Sequence, residues 1–418
     1  MNAILTITRS RQKRYSNFKR GLTSCVSWMK ILYYCPEYHA RHGGRTHARG
    51  FFGALKYLPS VSESFLVPKS NSHSDVQNAI NKKPHRGKLW MFPRNLQRMV
   101  RFFRPRPDLT RILISELRAH GCDALIIRTG ISQPTIRDIK KACPGTTICL
   151  EINSLIVEEV FPELPLRRIL ERWEAGRYNQ ADAIVVVSSY LKTSLEKYQI
   201  CREKILVNQN GVNREAIDIA GLSGVREQYG IPKAAFVIGY IGGMETFRRL
   251  PEVIGYIADL RRAGNDDIYF LIIGDGKDMP AVQAAIEADQ DVLEDAVRCF
   301  GWLEYSEVPR YLATFDLAIF PFTNAYCSPL KLFEYLGAGV PTIGPDTPAV
   351  REVFEDGVHL KLVKQDGSDF VSNVLALKNN PQLRTELADS GKQLVLNEYT
   401  WERNAEKVVE HIQSRRGR

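Results

Sequence analysis

Short apolar segments alternate with longer amphipathic ones along most of the sequence, and this alternation begins twice. The apolar segments predict strands at 29–34, 122–128, 146–152, 182–188 and 204–207, and again at 236–241, 269–273, 296–300, 317–321, 341–344 and 359–363. Strands that alternate with helices form parallel sheets covered on both faces. The pattern therefore predicts an α/β protein with two doubly wound, Rossmann-like domains, since one core rarely serves 418 residues.

The basic start, the point where the pattern begins again and the last predicted helix divide the chain into four parts. Residues 1–28 are basic, contain no acidic residue and are interpreted as a disordered or mis-started extension. A membrane tether and an organelle transit peptide are the alternatives for this part. The predicted domains follow at 29–212 and 213–398, and a last helix in 399–418 can cross back to the first domain.

The segment 328–341 reads Ser-Pro-Leu-Lys-Leu-Phe-Glu-Tyr-Leu-Gly-Ala-Gly-Val-Pro and lies between two predicted strands of the second domain. The loop that enters its helix lies at the carboxyl end of a parallel strand, where open α/β sheets bind ligands. We predict that the helix starts at Pro329 with Ser328 as its N-cap. Its first N–H groups then form an anion site.

Two charged side chains extend this prediction. Lys331 puts a positive charge in the first turn, where the helix dipole disfavours it, and this suggests a bound anion. Glu334 lies about one turn further along and can accept hydrogen bonds from hydroxyl groups. A phosphate-binding end and a nearby carboxylate suit a nucleotide diphosphate and its ribose. The alternative is an ordinary helix N-terminus with solvated charges.

Paired glycines follow the first predicted strand of each domain. Gly43 and Gly44 open a helix in a loop that also carries Glu37 and three histidines, and Gly242 and Gly243 follow the strand of the second domain. Glycine lets the backbone approach a ligand closely, so these turns are candidate walls of a binding site. For the first turn, a tight loop with polar surface residues is the alternative.

The net charge of +10 conceals an uneven distribution. Residues 1–215 carry 36 Lys and Arg against 17 Asp and Glu, a net charge of +19, and the remainder carries −9. A basic first half predicts an anionic partner, namely phospholipid headgroups, a lipid-linked diphosphate or nucleic acid. The arginine-rich amphipathic segment 89–104 suits a membrane surface or packing on its own domain, and no recognised nucleic-acid module surrounds it.

The cysteines and the lengths of the apolar segments indicate the cellular compartment of the protein. The eight cysteines are scattered without a Cys-x-x-Cys pair or a Cys/His cluster, which argues against zinc and disulfide frameworks and for a reducing compartment. No apolar run reaches the roughly 18 residues of a membrane span, and no apolar signal segment follows the basic start. We therefore expect a cytoplasmic protein, with peripheral contact at the inner membrane face as a further expectation.

Several short motifs occur in the order in which one enzyme family carries them. They are Gly43-Gly44, Leu150-Glu-Ile-Asn153, Ala181-Asp-Ala-Ile-Val-Val-Val-Ser188, Asn210-Gly-Val212, Ile273-Gly-Asp-Gly276 and Phe300-Gly-Trp302, followed by the more specific motif at 328–341. With the two domains, this order resembles the GT-B glycosyltransferases, and more narrowly the retaining family 4, or group 1, enzymes. The resemblance covers about residues 29–412.

The resemblance implies that the two domains face a cleft and that the second domain binds a nucleotide sugar. Glu334 matches the family's ribose-binding glutamate, backbone N–H groups from Ser328 to Lys331 would hold the diphosphate, and Trp302 would lie beside the base. Lys331, Arg248 and Glu334 are expected to activate the donor, and no nucleophile is assigned. The full set of expected contacts is Gly43, Gly44, Gly243, Arg248, Trp302, Leu303, Tyr326, Ser328, Pro329, Leu330, Lys331 and Glu334.

The resemblance also implies that no metal ion and no cofactor takes part, because the UDP- or GDP-linked donor is a substrate. Two positions depart from the family pattern. Tyr326 stands where the pattern has a glutamate that contacts the sugar, and Arg249 follows Arg248 where glycine is usual.

The favoured prediction is a retaining, metal-independent glycosyltransferase that moves a sugar from a nucleotide sugar to a glycan acceptor, expected to be lipid-linked, in surface polysaccharide or glycolipid synthesis. Contact of the basic first domain with an anionic membrane belongs to this prediction, and binding of nucleic acid does not. The alternatives are a non-hydrolysing sugar-nucleotide epimerase and a degenerate, non-catalytic GT-B binding protein.

Overall fold

The computed structural model describes residues 28–39, 43–68, 106–130, 133–160 and 167–416. The basic extension up to residue 27 and the arginine-rich segment 89–104 lie outside the described residues. Within the described ranges, no helix is long and apolar enough to cross a membrane.

The N-terminal domain is built on a six-stranded sheet. Its strands are β1 (Met29–Tyr34), β2 (Val61–Val67), β3 (Ala124–Arg128), β4 (Thr147–Ile152), β5 (Ala183–Val186) and β6 (Ile205–Val207). The helices described around it are α1 (Gly43–Leu55), α2 (Pro107–His120), α3 (Ile136–Ala142), α4 (Ile156–Val160), α5 (Arg167–Tyr178) and α6 (Ser189–Glu196). Strands β3, β4 and β5 are buried throughout, which explains their continuous apolar sequences.

The C-terminal domain repeats this plan. Its strands are β7 (Phe236–Ile241), β8 (Ile268–Ile273), β9 (Val297–Cys299), β10 (Leu317–Ile319), β11 (Thr342–Pro345) and β12 (Lys361–Val363). The α-helices that follow residue 213 are α7 (Val225–Gln228), α8 (Leu250–Arg262), α9 (Met279–Ala288), α10 (Gln290–Leu293), α11 (Val308–Leu312), α12 (Leu330–Ala338), α13 (Pro348–Arg351), α14 (Phe370–Asn379), α15 (Pro381–Glu398) and α16 (Trp401–Arg415). Short 3-10 helices cover Arg214–Ile217, Thr246–Arg248 and Tyr305–Glu307.

Both sheets are parallel, which confirms the predicted doubly wound fold. The strand orders are β2-β1-β3-β4-β5-β6 and β12-β11-β10-β7-β8-β9. Each sheet starts at an interior strand, and the chain later returns to the other side of that first strand. Loops on either side of such a switch point diverge and leave a crevice at the carboxyl ends of the strands. The fold therefore places binding crevices between β1 and β3 and between β7 and β10.

The first sheet is covered on both faces by separate apolar groups. Side chains alternate across a strand, so Leu32 and Tyr34 of β1 belong to one group, whereas Ile31 and Tyr33 belong to the other. The second group also contains the apolar side of α16, namely Trp401, Ala405, Val408, Val409 and Ile412. The last helix of the chain therefore packs on the first sheet.

The chain passes between the domains twice at one place. The outgoing segment contains Val212 and the returning segment Thr400, and the two residues form a parallel β-bridge. The Val212 N–H donates to the Tyr399 carbonyl (2.9 Å), and the Trp401 N–H donates to the Val212 carbonyl (3.1 Å). A Cβ at Gly211 would lie 2.8 Å from the Thr400 carbonyl carbon, so the two segments approach closely only because this residue is glycine.

Candidate functional site

A cleft of about 1290 Å³ lies between the carboxyl ends of the two sheets, with walls from both domains. Six basic side chains line it against three acidic ones, namely Arg45, Arg49, Arg128, Arg248, Lys277 and Lys331 against Glu159, Glu245 and Asp275. A cleft lined mainly by one sign of charge concentrates ligands of the opposite sign. The cleft is therefore suited to an anionic ligand.

Helix α12 presents its N-terminus to this cleft, but it starts differently from the prediction. Pro329 is the N-cap residue, with φ of −72° and ψ of 111°, and no side chain caps the helix. The prediction of Ser328 as N-cap is therefore wrong. Because Pro329 stays extended, the helix begins at Leu330, and Ser328 lies one residue too early to cap it.

Ser328 has a different environment from a capping serine. It is buried, and its carbonyl accepts a hydrogen bond from Asn210 Nδ2 at 2.6 Å. Its Oγ is also buried and has no hydrogen-bond partner among the described residues. The cleft wall continues from Ser328 through Pro329 and Leu330 to Lys331. A buried hydroxyl therefore lies beside the first N–H groups of α12 at the edge of the cleft.

Lys331 pairs with Glu334 within the same helix, with Nζ 2.5 Å from Oε2. Lys331 therefore has an ionic partner within the protein. Its position in the first turn of α12 does not by itself indicate a bound anion, contrary to the prediction. The structure does not bring Glu334 to the cleft surface, because the residue is only 2% exposed. Its Oε1 is buried. Burial, the charge of the nearby Glu334 carboxylate and a hydrogen bond to that carboxylate raise the pKa of Tyr305 well above its ordinary value, so Glu334 has Tyr305 as a neighbour as well as Lys331.

The loop after β7 carries Arg248 to the cleft, as predicted. The Arg248 guanidinium lies over the Phe320 ring at 4.2 Å and over the Phe247 ring at 4.6 Å. Its Nη1 donates to Thr323 Oγ1 at 2.7 Å and to the Phe322 carbonyl at 3.2 Å. These contacts attach the cation to the loop that leads into α12, so the two loops of the switch point form one surface.

Two loops of the C-terminal wall lie against each other. Gly243 lines the cleft, and the neighbouring Met244 N–H donates to the Asp275 carbonyl at 3.0 Å. A Cβ at Gly276 would lie 2.4 Å from the Met244 carbonyl oxygen. Gly274 has a positive φ of 139°, and a Cβ there would lie 1.9 Å from a backbone oxygen of the β7 loop. Glycine is required at both positions for this approach.

Arg249 has a left-handed backbone with φ of 51°, the conformation that glycine adopts most readily. Its side chain turns away from Arg248. The guanidinium lies over the Phe322 ring at 4.1 Å, pairs with Glu252 and donates to the Gln365 carbonyl. Arg249 is absent from the cleft lining. The chain thus keeps the backbone of the usual glycine while the side chain packs outside the cleft.

Trp302 and Leu303 line the cleft beside Tyr305, at a point where Gly301 reverses the chain with φ of 63°. Trp302 is 38% exposed, although it is a large apolar side chain. An exposed aromatic face at the wall of a cleft is suited to stacking with a planar ring. The structure therefore brings Trp302 and Leu303 to the predicted site.

Tyr326 lies away from the cleft and packs into the N-terminal domain. The residue is 8% exposed, and its ring centroid is 6.4 Å from that of Tyr190. Its carbonyl accepts a hydrogen bond from Ser188 Oγ (3.0 Å), and its hydroxyl accepts one from Asn324 Nδ2 (3.2 Å). Burial raises the pKa of this phenol, so it remains neutral at ordinary pH. The structure does not bring Tyr326 to the predicted donor contacts, and the side chain joins the two domains instead.

Helix α1 forms the wall on the N-terminal side. It begins at Gly43, and Gly44, Arg45 and Arg49 line the cleft. Arg45 Nη2 also lies 3.9 Å from Glu304 Oε2 on the opposite domain. The first pair of predicted glycines therefore starts a helix that brings two cations to the cleft.

Two sequence-family models match this chain. The one described as Glycosyltransferase Family 4 matches residues 59–216, and the one described as Glycosyl transferases group 1 matches residues 235–380. Together they reach into both domains. The chain belongs to the group 1, family 4 glycosyltransferases.

Individual relatives are more distant. A glycosyltransferase of Bacillus subtilis provisionally assigned to teichuronic acid biosynthesis, TuaH, is 28% identical over 222 residues, 49% of this chain and 51% of its own. An uncharacterised glycosyltransferase of Methanocaldococcus jannaschii is 23% identical over 254 residues, 58% and 65% of the two chains. The chain thus spans about half to two thirds of these relatives. The Anabaena protein Alr3699/HepE in complex with UDP-glucose has a TM-score of 0.68 at 15% identity, covering 92% of this chain and 100% of its own, which shows the shared GT-B fold.

In this glycosyltransferase, sequence reasoning missed a buried ionic cluster beneath the N-terminal wall. Arg128 ends β3, and Glu151 lies opposite it in β4. Arg128 pairs with Glu151 and with Glu37, and His47 Nε2 lies 2.6 Å from Glu151 Oε1. The sequence did contain one indication of this cluster. Each of the two otherwise apolar strands carries one charged residue near its carboxyl end. Only the pairing register shows that these charges meet.

Glu151 is ionised despite its burial. Burial alone would raise its pKa, but the neighbouring charges of His47 and Arg128 outweigh this effect and lower the pKa well below its ordinary value. The Tyr33 hydroxyl also donates to Glu151 Oε2 at 3.1 Å. The carboxylate therefore serves as a fixed negative charge behind the cleft.

No group of three or more His, Cys, Asp and Glu side chains in the described part of the chain has the arrangement of a metal site. The positive charges of the glycosyltransferase cleft come from its Lys and Arg side chains.

Proposed function

We propose that this protein is a retaining glycosyltransferase that transfers a sugar from a nucleotide sugar to a glycan acceptor during the synthesis of a surface polysaccharide. Membership in the group 1 family supports the reaction class. The assignment of TuaH to teichuronic acid biosynthesis supports the polymer class. The arrangement at the start of α12 is the observation that carries the proposal.

Ser328 Oγ lies there, a buried oxygen atom without a hydrogen-bond partner among the described residues, and so does the buried carboxylate of Glu334. Leaving a buried polar atom without a hydrogen bond costs roughly 1–3 kcal/mol, so such atoms usually indicate a missing partner. A phosphate oxygen would accept from Ser328 Oγ and from the first N–H groups of α12. Glu334 matches the family's ribose-binding glutamate and is assigned to a ribose hydroxyl, which can reach this buried carboxylate only when the surrounding side chains move. A nucleoside diphosphate supplies both groups.

The base is assigned to the wall formed by Trp302 and Leu303. We propose a UDP-linked donor ahead of a GDP-linked one, since the Anabaena neighbour binds UDP-glucose. The donor is a substrate, and no separate cofactor is proposed.

Charge stabilisation by the protein replaces a metal ion in this proposal. When the bond between the anomeric carbon and the diphosphate breaks, negative charge develops on the leaving phosphate. Lys331, Arg248 and the N-terminus of α12 are placed to stabilise that charge. The acceptor oxygen bonds to the anomeric carbon on the face that the diphosphate leaves, and its proton passes to a leaving phosphate oxygen. Retention of configuration follows without a protein nucleophile.

The acceptor is assigned to the N-terminal wall. Arg45 and Arg49 lie one turn apart on α1 and face the cleft, which suits an acceptor with a diphosphate-linked lipid. The basic character of residues 1–215 suits contact with an anionic membrane that presents such a lipid.

The proposal is tested by isothermal titration with UDP, GDP and ADP, followed by donor hydrolysis and transfer assays with and without EDTA. We expect UDP to bind, and we expect turnover to be unaffected by EDTA. NMR of the product is expected to show the anomeric configuration of the donor. Binding of none of the three nucleotides would refute the proposed function.

The role of the α12 site is tested by Glu334→Gln, which keeps the size of the side chain but removes its charge. We expect UDP affinity to fall about tenfold, because a hydrogen bond to a charged acceptor is worth about 1.5–3 kcal/mol. Glu307→Gln is the control, since Glu307 and Arg310 form an ion pair of the same spacing outside the cleft. Equal UDP affinity in the two variants would contradict the assignment of Glu334.

A further inference from the structure

Asn210 connects the two domains through both ends of its side-chain amide. It is buried in the segment that leaves the N-terminal domain. Its Nδ2 donates to the Ser328 carbonyl at 2.6 Å, and its Oδ1 lies 2.8 Å from His47 Nδ1. A carbonyl oxygen only accepts hydrogen bonds, so the amide nitrogen must face Ser328 and the amide oxygen must face His47.

This orientation fixes the role of one ring nitrogen of His47. Since Asn210 Oδ1 can only accept, His47 Nδ1 donates to it. The other ring nitrogen, Nε2, lies 2.6 Å from Glu151 Oε1. The His47 ring is therefore held between the Glu151 carboxylate and the Asn210 amide.

Ionic and hydrogen-bonded contacts hold this cluster together. Arg128 pairs with Glu151 and with Glu37, and His47 Nε2 lies 2.6 Å from Glu151 Oε1. Moving a buried member would leave a charge or a hydrogen-bonding group without a partner, so the cluster is rigid. The His47 ring is also held edge-on against Trp401 of α16, with ring centroids 4.8 Å apart.

We infer that His47 and Asn210 are positioning residues that set the donor-binding loop from the N-terminal domain. The chain of contacts runs from Glu151 through His47 and Asn210 to the Ser328 carbonyl. It fixes the peptide immediately before the N-terminus of α12, where Ser328 Oγ and the free N–H groups meet the cleft. The inference rests on the proposed function, because it gives these residues a role in holding a nucleoside diphosphate site.

The loop that leads into α12 also contacts the N-terminal domain at other places. The Tyr326 carbonyl accepts from Ser188 Oγ, and the Tyr326 side chain packs into one N-terminal core group. Leu330 packs against the other group, which contains Trp401. A change in the angle between the domains would therefore displace the donor loop, with the Asn210 contact lying nearest to the phosphate-binding end.

The chain provides a matched control two residues away. Asn208 is buried to a similar degree, at 6% exposure against 7% for Asn210. Its Nδ2 donates to the Asn404 carbonyl of α16 at 3.1 Å rather than to the donor loop. The same substitution at Asn208 therefore disturbs a buried amide in the same segment without touching Ser328.

The test compares Asn210→Asp with Asn208→Asp in the full-length protein. In Asn210→Asp the His47 contact is retained, but a carboxylate oxygen faces the Ser328 carbonyl and repels it. Three quantities are measured for each protein, namely the melting temperature, amide hydrogen exchange over residues 326–332 without ligand, and UDP affinity by calorimetry. Asn210→Ala and Asn208→Ala form a second pair in case the charged variants do not fold.

We expect Asn210→Asp to speed exchange over 326–332 and to weaken UDP binding at least tenfold, while Asn208→Asp lowers only the melting temperature. Wild-type exchange rates in the Asn210 variants would overturn the inference, and so would equal effects of the Asn210 and Asn208 variants on UDP affinity. Failure of the wild-type protein to bind UDP would overturn the proposed function instead, and the exchange comparison would still decide whether Asn210 positions the loop.

Discussion

Two adjacent arginines in the β7 loop have opposite orientations. The Arg248 side chain faces the cleft and donates to Thr323 and the Phe322 carbonyl. The Arg249 side chain packs on the outer side of Phe322 and pairs with Glu252. Arg249 takes the left-handed conformation, which costs an ordinary residue roughly 1–2 kcal/mol, and its side chain makes three contacts outside the cleft. At the scale of single residues, the departure from the family pattern at Arg249 therefore leaves the cleft unobstructed.

This difference predicts unequal effects of substituting the two arginines. We expect Arg249→Gly to keep UDP affinity and transfer rate within about twofold, because glycine adopts the same backbone without strain and the lost contacts lie outside the cleft. Arg248→Ala is expected to lower the transfer rate at least tenfold, because in the proposed function this cation stabilises the leaving phosphate. Steady-state kinetics of both variants provides the measurement. A loss of activity in Arg249→Gly as large as that in Arg248→Ala would show that the outer contacts hold the loop in place.

At the scale of elements, the paired crossing segments determine how the domains are joined. The outgoing segment at Val212 and the returning segment at Thr400 are hydrogen-bonded side by side, and α16 then packs on the first sheet. Asn208 and Asn404 add buried side-chain bonds at the same place, since Asn404 Nδ2 donates to the Gln209 carbonyl at 2.6 Å. The domain connection is thus a short parallel pair rather than a single flexible linker.

A methyl group at Gly211 tests this connection. Gly211→Ala would place Cβ 2.8 Å from the Thr400 carbonyl carbon and 2.9 Å from its oxygen, so the segments must separate. We expect the melting temperature to fall by about 5 °C or more, because a backbone neighbour cannot rotate away as a side chain can. Gly145→Ala is the control, since a Cβ there would meet nothing within 4 Å. An unchanged melting temperature in Gly211→Ala would mean that the crossing segments part at little cost.

At the scale of the whole molecule, the cleft exists only because two switch points face each other. Its lining alternates between the domains, from Arg45 of α1 to Lys331 of α12. The loop that leads into α12 is attached to both domains, as the bonds of Ser188 and Asn210 show. Binding of a ligand to this loop would therefore depend on the arrangement of the domains.

Cys327 reports on the occupancy of this cleft. Cys327 is a half-buried residue of the cleft lining next to Ser328, whereas Cys201 is exposed outside the cleft. We expect saturating UDP to slow alkylation of Cys327, because a bound diphosphate would cover the thiol, and to leave alkylation of Cys201 unchanged. Mass spectrometry of peptides after timed exposure to iodoacetamide measures both rates in one sample. Equal labelling of Cys327 with and without UDP would place the nucleotide elsewhere.

Much of the architecture could be predicted from local sequence. Strands β1 and β7 begin and end where the apolar pattern placed them, because burial in a sheet imposes a pattern that the sequence records. Lys331 was expected at the cleft from its place after a predicted strand, and Trp302 and Leu303 were expected there from the family resemblance. All three line the cleft. The start of α12 was misplaced by one residue because sequence alone does not show whether Pro329 is extended or helical.

By itself the sequence determined the α/β class, the two domains and the residues at the strand ends, since these depend on interactions between residues close in the chain. Only the tertiary structure decided which of those residues meet. In the folded protein, Tyr326 contacts the N-terminal domain and the Arg249 side chain packs outside the cleft. Glu334 is buried beside Lys331. His47, Glu151 and Asn210 are distant in the chain but lie in one network of contacts. The physical reason is that pairing register and domain packing bring such groups together, and no local pattern encodes the partner of a buried charge.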